Sequence, residues 1–176
     1  MSHPLDLFRF CPVCGSTDFA ENNFKSKHCA ACGFTYYANP CSATVAFVRD
    51  SQGRLLVARR AKEPAKDTSD LPGGFVDMDE TAEEGLRREI MEETGMEVEQ
   101  ARYLFSIPNR YLYSGLVVHT LDMFSEVRVK EGRQAVAADD VASLTWQPLE
   151  EVRPEDFGLD SIRQGVIKYL HELLRK

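Results

Sequence analysis

From Ser42 onward the apolar and polar positions settle into repeats that predict particular elements. Ser42–Arg49 (SATVAFVR) and Arg54–Arg60 (RLLVARR) are rich in strand-forming residues, and Asp50-Ser51-Gln52-Gly53 between them predicts a hairpin turn. Ala61–Asp70 is polar and holds Pro64, so it reads as a loop; Leu71-Pro72-Gly73-Gly74 is a sharp break before Phe75–Val76 and an acidic turn. A helix follows. Thr81 with Glu84 three positions on has the capping-box pattern, Ala82, Leu86 and Ile90 recur at four-residue intervals, and Gly95 provides the stop. Strand-like runs return at Ala101–Ile107, Gly115–Val129 (with room for an interruption) and Ala142–Gln147. From about Leu159 the stripe Ile162, Val166, Leu170 and Leu173 predicts a closing amphipathic helix. Residues 8 to about 37 differ: Cys, Gly and Asn punctuate them and little periodicity survives. The expectation is a small module over 1–40, then an α+β domain over 41–176 in which a mixed sheet packs with helices.

Composition adds constraints. The 176 residues suffice to bury a sizeable core, 43% are hydrophobic and 28% charged, and no run is long and apolar enough to span a bilayer. Met1–Phe10 lacks a basic start followed by an apolar run, so a cytoplasmic protein is expected. The formal charge of −7 argues against general affinity for nucleic acid. That acidity is concentrated: Gly74–Gly95 holds eight acids (Asp77, Asp79, Glu80, Glu83, Glu84, Glu89, Glu92, Glu93) against Arg87 and Arg88. Such a stretch either gathers cations or is a solvated acidic helix face.

Cys11-Pro12-Val13-Cys14-Gly15 and Cys29-Ala30-Ala31-Cys32-Gly33 are two CxxCG knuckles with fourteen residues between the pairs. Four thiolates so spaced suit a tetrahedral zinc, and a closed four-sulfur set leaves no open position for catalysis. A structural or subunit-contact role therefore outweighs nucleic-acid binding. Arg9, Lys25 and Lys27 are balanced by Asp6, Asp18 and Glu21, so the module carries no basic surface. His28 beside Cys29 is a rival ligand, and Cys41 lies outside the pattern.

Glu89 and Glu93 stand four apart on the predicted helix, so their carboxylates share a face, with Glu92 beside them. Hard oxygen ligands clustered this way suit Mg²⁺ or Mn²⁺, which leave further positions to water and substrate phosphates. Arg88, four after Glu84 and four before Glu92, is placed to pair with acids. Pro72-Gly73-Gly74 lets the backbone approach the metals and offers a carbonyl.

Gly74–Met96, GFVDMDETAEEGLRREIMEETGM, resembles a complete Nudix box, G-x5-E-x7-R-E-U-x-E-E-x-G-U with U a bulky aliphatic residue. Gly74, Glu80, Arg88, Glu89, Ile90, Glu92, Glu93, Gly95 and Met96 fill every defined position. The preceding hairpin, the Leu71–Gly74 turn and Trp146-Gln147-Pro148-Leu149-Glu150 also fall where Nudix domains place equivalents, and the cysteine module makes the chain similar to the zinc-ribbon subgroup that includes NADH pyrophosphatases. The resemblance implies a Nudix α/β/α sandwich behind a zinc ribbon. It implies Glu89 and Glu93 as principal metal ligands, Glu92 and the Gly73 carbonyl as further ones, and Arg88 with Glu80 as an orienting pair. The reaction would be attack of water on one phosphorus of a nucleoside diphosphate derivative, with Glu89 alone or a loop acid as base. Many members place a Glu six residues before the Trp; here that position is Asp140, beside Asp139, and a solvated loop is the competing reading.

The substrate is left open. The NADH pyrophosphatase pattern SQPWPFPxS meets Ser106–Ser114, SIPNRYLYS: Ser106, Pro108 and Ser114 agree, Tyr111 replaces Phe, and Ile107, Asn109, Arg110 and Leu112 depart. Arg59, Arg110, Tyr111 and Tyr113 are the candidate substrate contacts, through phosphate pairing and ring stacking. The same aromatics are equally read as core or interface residues. NADH, NAD and ADP-ribose all remain open, and related enzymes imply a homodimer. The rival classes are a nucleotide sensor without turnover, disfavoured by the intact box, and a ribbon-based nucleic-acid module, disfavoured by charge.

Overall fold

The computed structural model describes residues 3–174 apart from 131 and 133. In chain order its strands and helices are β1 (Phe19–Asn23), β2 (Ser26–Cys29), β3 (Thr35–Tyr37), β4 (Cys41–Arg49), β5 (Leu55–Arg60), β6 (Ser69–Asp70), α1 (Ala82–Thr94), β7 (Val98–Tyr113), β8 (Leu116–Val129), β9 (Val141–Gln147) and α2 (Asp160–Leu173). Two short 3-10 turns, Leu149–Glu151 and Pro154–Asp156, precede α2. The chain divides into two compact units, Met1–Pro40 with Arg110–His119, and Cys41–Asn109 with Thr120–Lys176.

The second unit is built on a mixed sheet of order β6-β5-β4-β8-β7, with β9 also paired to β5. β4 runs parallel to β8 over nine residues, from Cys41↔Thr120 to Arg49↔Arg128, and antiparallel to β5. Strand alternation gives the sheet two apolar faces. Val45, Phe47, Leu55, Val57 and Phe124 pack with Ile162, Val166 and Tyr169 of α2. Ala46, Val48, Leu56 and Val127 pack with Leu86 and Ile90 of α1. Helix, sheet, helix is the layering the Nudix resemblance implied. α2 sits close because Gly165 has no side chain; a Cβ there would come within 2.2 Å of the Phe124 ring.

Helix α1 starts and stops where the local pattern predicts. The Thr81 hydroxyl accepts from the Glu84 N–H and the Glu84 carboxylate accepts from the Thr81 N–H, while Gly95 closes the helix at φ 68°. Other bounds moved. β7 extends well beyond Ala101–Ile107, and β8 is uninterrupted from Leu116. The turn joining them, Ser114–Gly115, has positive φ at both residues (49° and 76°), as a tight two-residue hairpin requires.

In the first unit the order is β1-β2-β3, antiparallel throughout. Cys11, Phe19 and Cys29 are buried together with Phe34 against them. These strands are three to five residues long, so alternation has no length in which to show.

Candidate functional site

In the first unit the four paired cysteines converge, their sulfurs all within 4.8 Å of one another. Cys11 Sγ lies 3.7 Å from Cys32 Sγ and Cys14 Sγ 3.6 Å from Cys29 Sγ. A tetrahedral Zn–S₄ centre with bonds of about 2.3 Å needs sulfur separations of roughly 3.8 Å, so the residues fit that ion. Both knuckles use one backbone solution. Gly15 N–H donates to the Cys11 carbonyl and Gly33 N–H to the Cys29 carbonyl, at 2.9 and 2.8 Å, with both glycines at positive φ. His28 points elsewhere: its Nδ1 meets Thr35 Oγ1 at 2.9 Å on an exposed strand face. Cys41 is exposed and free.

In the second unit α1 carries the acidic cluster, and Arg88 organises it. Arg88 Nε and Nη2 donate to the two carboxylate oxygens of Glu80 at 2.8 and 3.0 Å, a bidentate pair. Its Nη1 donates to Glu89 Oε1 at 2.8 Å and to Glu92 Oε2 at 3.1 Å, and its Nη2 also to the Phe75 carbonyl at 2.9 Å. The same cation thus holds three glutamates and the backbone just past the Gly73-Gly74 turn. Arg88's hydrogen bonds hold the Glu80 carboxyl below its ordinary range, helped by the Asp77 N–H. Glu89 is shifted upward, because burial outweighs the pull of Arg88 and the charges of Glu92 and Asp139 add to it.

Glu93 lies deeper, 8% exposed, and its Oε2 accepts from the Gly73 N–H at 2.9 Å. Burial pushes its carboxyl up to about 8 despite that donor, and Glu89, Asp70 and Asp140 raise it further. The Gly73-Gly74 turn is made for this approach. Gly73 sits at φ 143°, and a Cβ on it would strike the Thr44 carbonyl at 2.1 Å. A Cβ on Gly74 would lie 2.6 Å from the Glu89 carboxylate. Pro72 and Gly74 give their carbonyls to the N–H groups of Ala46 and Thr44 on β4, which pins the turn to the sheet. Among the described residues no backbone N–H donates to the Gly73 carbonyl.

Glu89, Glu92 and Glu93 do not bring their oxygens into one group within 4.8 Å, as the cysteines do their sulfurs. Two of them face Arg88 and the third faces a backbone amide. The all-oxygen donor set nonetheless suits a hard divalent cation, and the carboxyls of Glu89 and Glu93, raised chiefly by burial and further by neighbouring acids, are ones whose charge such a cation would stabilise.

Asp140 stands near this cluster. The segment before it follows the C-terminal end of α1, with Val136 and Ala138 N–H groups donating to the Thr94 and Glu93 carbonyls. Its exposed side chain pairs with Lys62, as does that of Asp139. Arg59 is exposed at the end of β5, opposite Ser69 and Ser143. Arg110, Tyr111 and Tyr113 belong to the first unit; the two tyrosine rings stack at 6.3 Å, and Tyr113 is 61% exposed.

Two groups at this site went unread in the sequence. Asp70, placed in a polar loop, is buried on β6, paired to Arg60, and caps the Leu71 N–H at 2.8 Å at the entry to the glycine turn. Burial raises its carboxyl, against the pull of Arg60. Its only signal was an acid directly before Leu-Pro-Gly-Gly. Thr44, on the β4 face that α1 covers, is 3% exposed and its hydroxyl has no partner among the described residues. Nothing in the local pattern distinguishes it.

A family model described as the NUDIX domain matches residues 39–170. The NAD-capped RNA hydrolase NudC of Haemophilus influenzae is 28% identical over 159 residues, covering 88% of this chain and 58% of the relative. The chain thus spans less than two thirds of that relative's length. A NUDIX hydrolase from Nitrosomonas europaea superposes with a TM-score of 0.73 at 18% identity, covering 93% of this chain and 91% of that one. The NUDIX domain of Shewanella oneidensis NrtR, solved with ADP ribose, superposes at 0.62 and 20% identity, covering 78% and 90%. At these identities the structural likeness speaks for the fold.

Proposed function

The chain belongs to the Nudix family, and from that premise we propose that it hydrolyses the pyrophosphate linkage of a nucleoside diphosphate derivative, using Mg²⁺ or Mn²⁺. The observation that carries this reading is Arg88 gripping Glu80, Glu89 and Glu92 around a glycine turn whose missing side chain leaves room for the Glu89 carboxylate. Glu89, Glu92, Glu93 and the Gly73 carbonyl would hold the ion. When bound, such an ion acidifies water and offsets charge on the phosphoryl oxygens. The chain's own residues do the remaining work. Glu80 fixes Arg88, Arg88 fixes the rotamers of Glu89 and Glu92, and Glu89, with its raised carboxyl, takes the proton of the attacking water. Asp140 is the loop acid that assists from beyond the end of α1, reaching less far than a glutamate.

The substrate class is an NAD(H)- or ADP-ribose-type dinucleotide, with Arg59, Arg110, Tyr111 and Tyr113 as contacts. Support comes from the NAD-capped RNA named for the NudC relative and the ADP ribose in the NrtR complex. The net charge of −7 favours the small dinucleotide over a long RNA. The cysteine module over residues 1–40 holds one structural Zn²⁺, and residues 41–176 form the hydrolase domain. A cytoplasmic homodimer is the expected state; no helix among the described residues is long and apolar enough to cross a membrane.

The test is a panel of NADH, NAD, ADP-ribose and NAD-capped RNA with Mg²⁺, products resolved by chromatography, repeated on Glu93→Gln. Turnover lost by at least a hundredfold in the variant supports the enzyme. Ligand binding without turnover in the unsubstituted chain would favour the sensor.

A further inference from the structure

A cavity of about 850 Å³ opens at the end of the sheet where β4 turns into β5, walled by the Asp50–Arg54 turn and by residues of β4, β7, β8 and β9 within the second unit. It is far from the acidic cluster. Thr44 bonds to the glycine turn, and Arg49 lies five residues further along β4, about 16 Å at roughly 3.3 Å per residue. Its volume falls in the range of small-molecule sites, about 300–1,000 Å³.

The lining has unspent cationic capacity. Arg49 Nε is buried and has no hydrogen-bond partner among the described residues, and its Nη1 reaches only the Tyr169 hydroxyl, at a long 3.4 Å. A buried guanidinium N–H without an acceptor is costly, and an anion held against the guanidinium from the cavity would offset that cost through its charge. Arg128 makes no ion pair or hydrogen bond through its side chain among the described residues. The acids in the wall are largely taken. Asp50 is held by Arg54 at 2.7 Å, and Glu126 by the Tyr169 hydroxyl at 2.7 Å and Arg102 at 3.1 Å. That leaves Glu99 as the lining carboxylate without a partner among the described residues. The wall also carries the half-buried indole of Trp146, whose flat face suits a planar ring. Two arginines with free donors beside an indole are the chemistry that recognises a phosphate joined to a base.

We propose that this cavity is a second ligand site, separate from the acidic cluster of α1, and that it takes a nucleoside monophosphate, its phosphate on Arg49 and Arg128 and its base against Trp146. Because Trp146 is the chain's one tryptophan, its emission reports on the cavity directly. AMP, which has no phosphoanhydride bond to cleave, is titrated into the full chain and the fluorescence followed, with adenosine as the phosphate-free comparison.

A saturable change is expected, at least tenfold weaker in Arg128→Gln and in Arg49→Met, at least tenfold weaker for adenosine, and within twofold of the unsubstituted chain in Glu93→Gln. Arg128 is exposed and has no side-chain partner among the described residues, so its variant folds even where Arg49→Met disturbs the Tyr169 contact. Absence of a saturable response, a response kept in Arg128→Gln, one equalled by adenosine, or one abolished by Glu93→Gln would each overturn the inference. None of these results depends on hydrolysis of the dinucleotide panel, so the two readings fail separately.

Discussion

Gly74 and Glu89 share one space: a side chain of even a single carbon on Gly74 would sit 2.6 Å from the Glu89 carboxylate. Gly74 has ordinary backbone torsions, and its carbonyl is tied to the Thr44 N–H at 2.8 Å. The constraint on this position is therefore the carboxylate and not the backbone. Gly74→Ala is expected to fold, with its thermal midpoint within a few degrees, yet to lose at least a hundredfold in kcat as Glu89 is pushed off Arg88. Gly73→Ala should behave differently, since its φ of 143° and the Thr44 carbonyl at 2.1 Å oppose any side chain. Soluble yield and melting curves of the two variants, measured side by side, separate these effects; a fully active Gly74→Ala would show that the close approach is unimportant.

Glu93 makes the metal-free protein sensitive to pH. Burial raises its carboxyl to about 8, far above the ordinary glutamate value of 4.5 expected in the unfolded chain. Between those values the folded chain binds the proton and the unfolded chain does not, so stability is greatest below about 4.5 and falls as pH rises towards 8. Without added Mg²⁺, the contribution of Glu93 to the thermal midpoint should decline from pH 5 to pH 8, and Glu93→Gln should flatten that part of the profile. Added Mg²⁺ should restore stability most at the alkaline end, because metal and proton compete for one carboxylate. Identical profiles for the two proteins would count against the buried acid.

Thr44→Val removes a buried hydroxyl that has no partner among the described residues and keeps the side-chain shape. A buried unsatisfied hydroxyl costs about 1–3 kcal/mol, so the variant should gain roughly 1 kcal/mol in denaturant unfolding. A loss of stability would mean that the hydroxyl bonds to an ordered water.

Cys29 is fully buried and anchors both the second knuckle and the small core with Phe19. The purified chain should carry close to one zinc by elemental analysis. Cys29→Ser should lose that metal, and limited proteolysis should then cut within residues 11–37 while leaving 41–109 protected. Zinc-free protein resistant to proteolysis in this region would remove the assignment.

Local chemistry explains what could be read in advance. Helix α1 was legible at both ends because Thr81, Glu84 and Gly95 act on their own backbone neighbours, and α2 because its stripe runs over three turns. Even there Tyr169, stacked on Phe47 at 3.9 Å, was absent from the predicted stripe. β7 ran past its predicted end because pairing with β8, not its own composition, sets its length.

The order of residues alone determined the family, the acidic helix and the two cysteine pairs, since each is a matter of spacing along one chain. Folding decided what those groups touch. Arg88 reaches Glu80 eight residues back, Glu93 lies under an amide twenty residues away, and Asp70 pairs with Arg60 across two strands. Burial, which raises Glu93 and leaves Arg49 Nε without a partner among the described residues, depends on which elements cover a side chain. Covering is a property of packed layers, and no stretch of sequence carries it by itself.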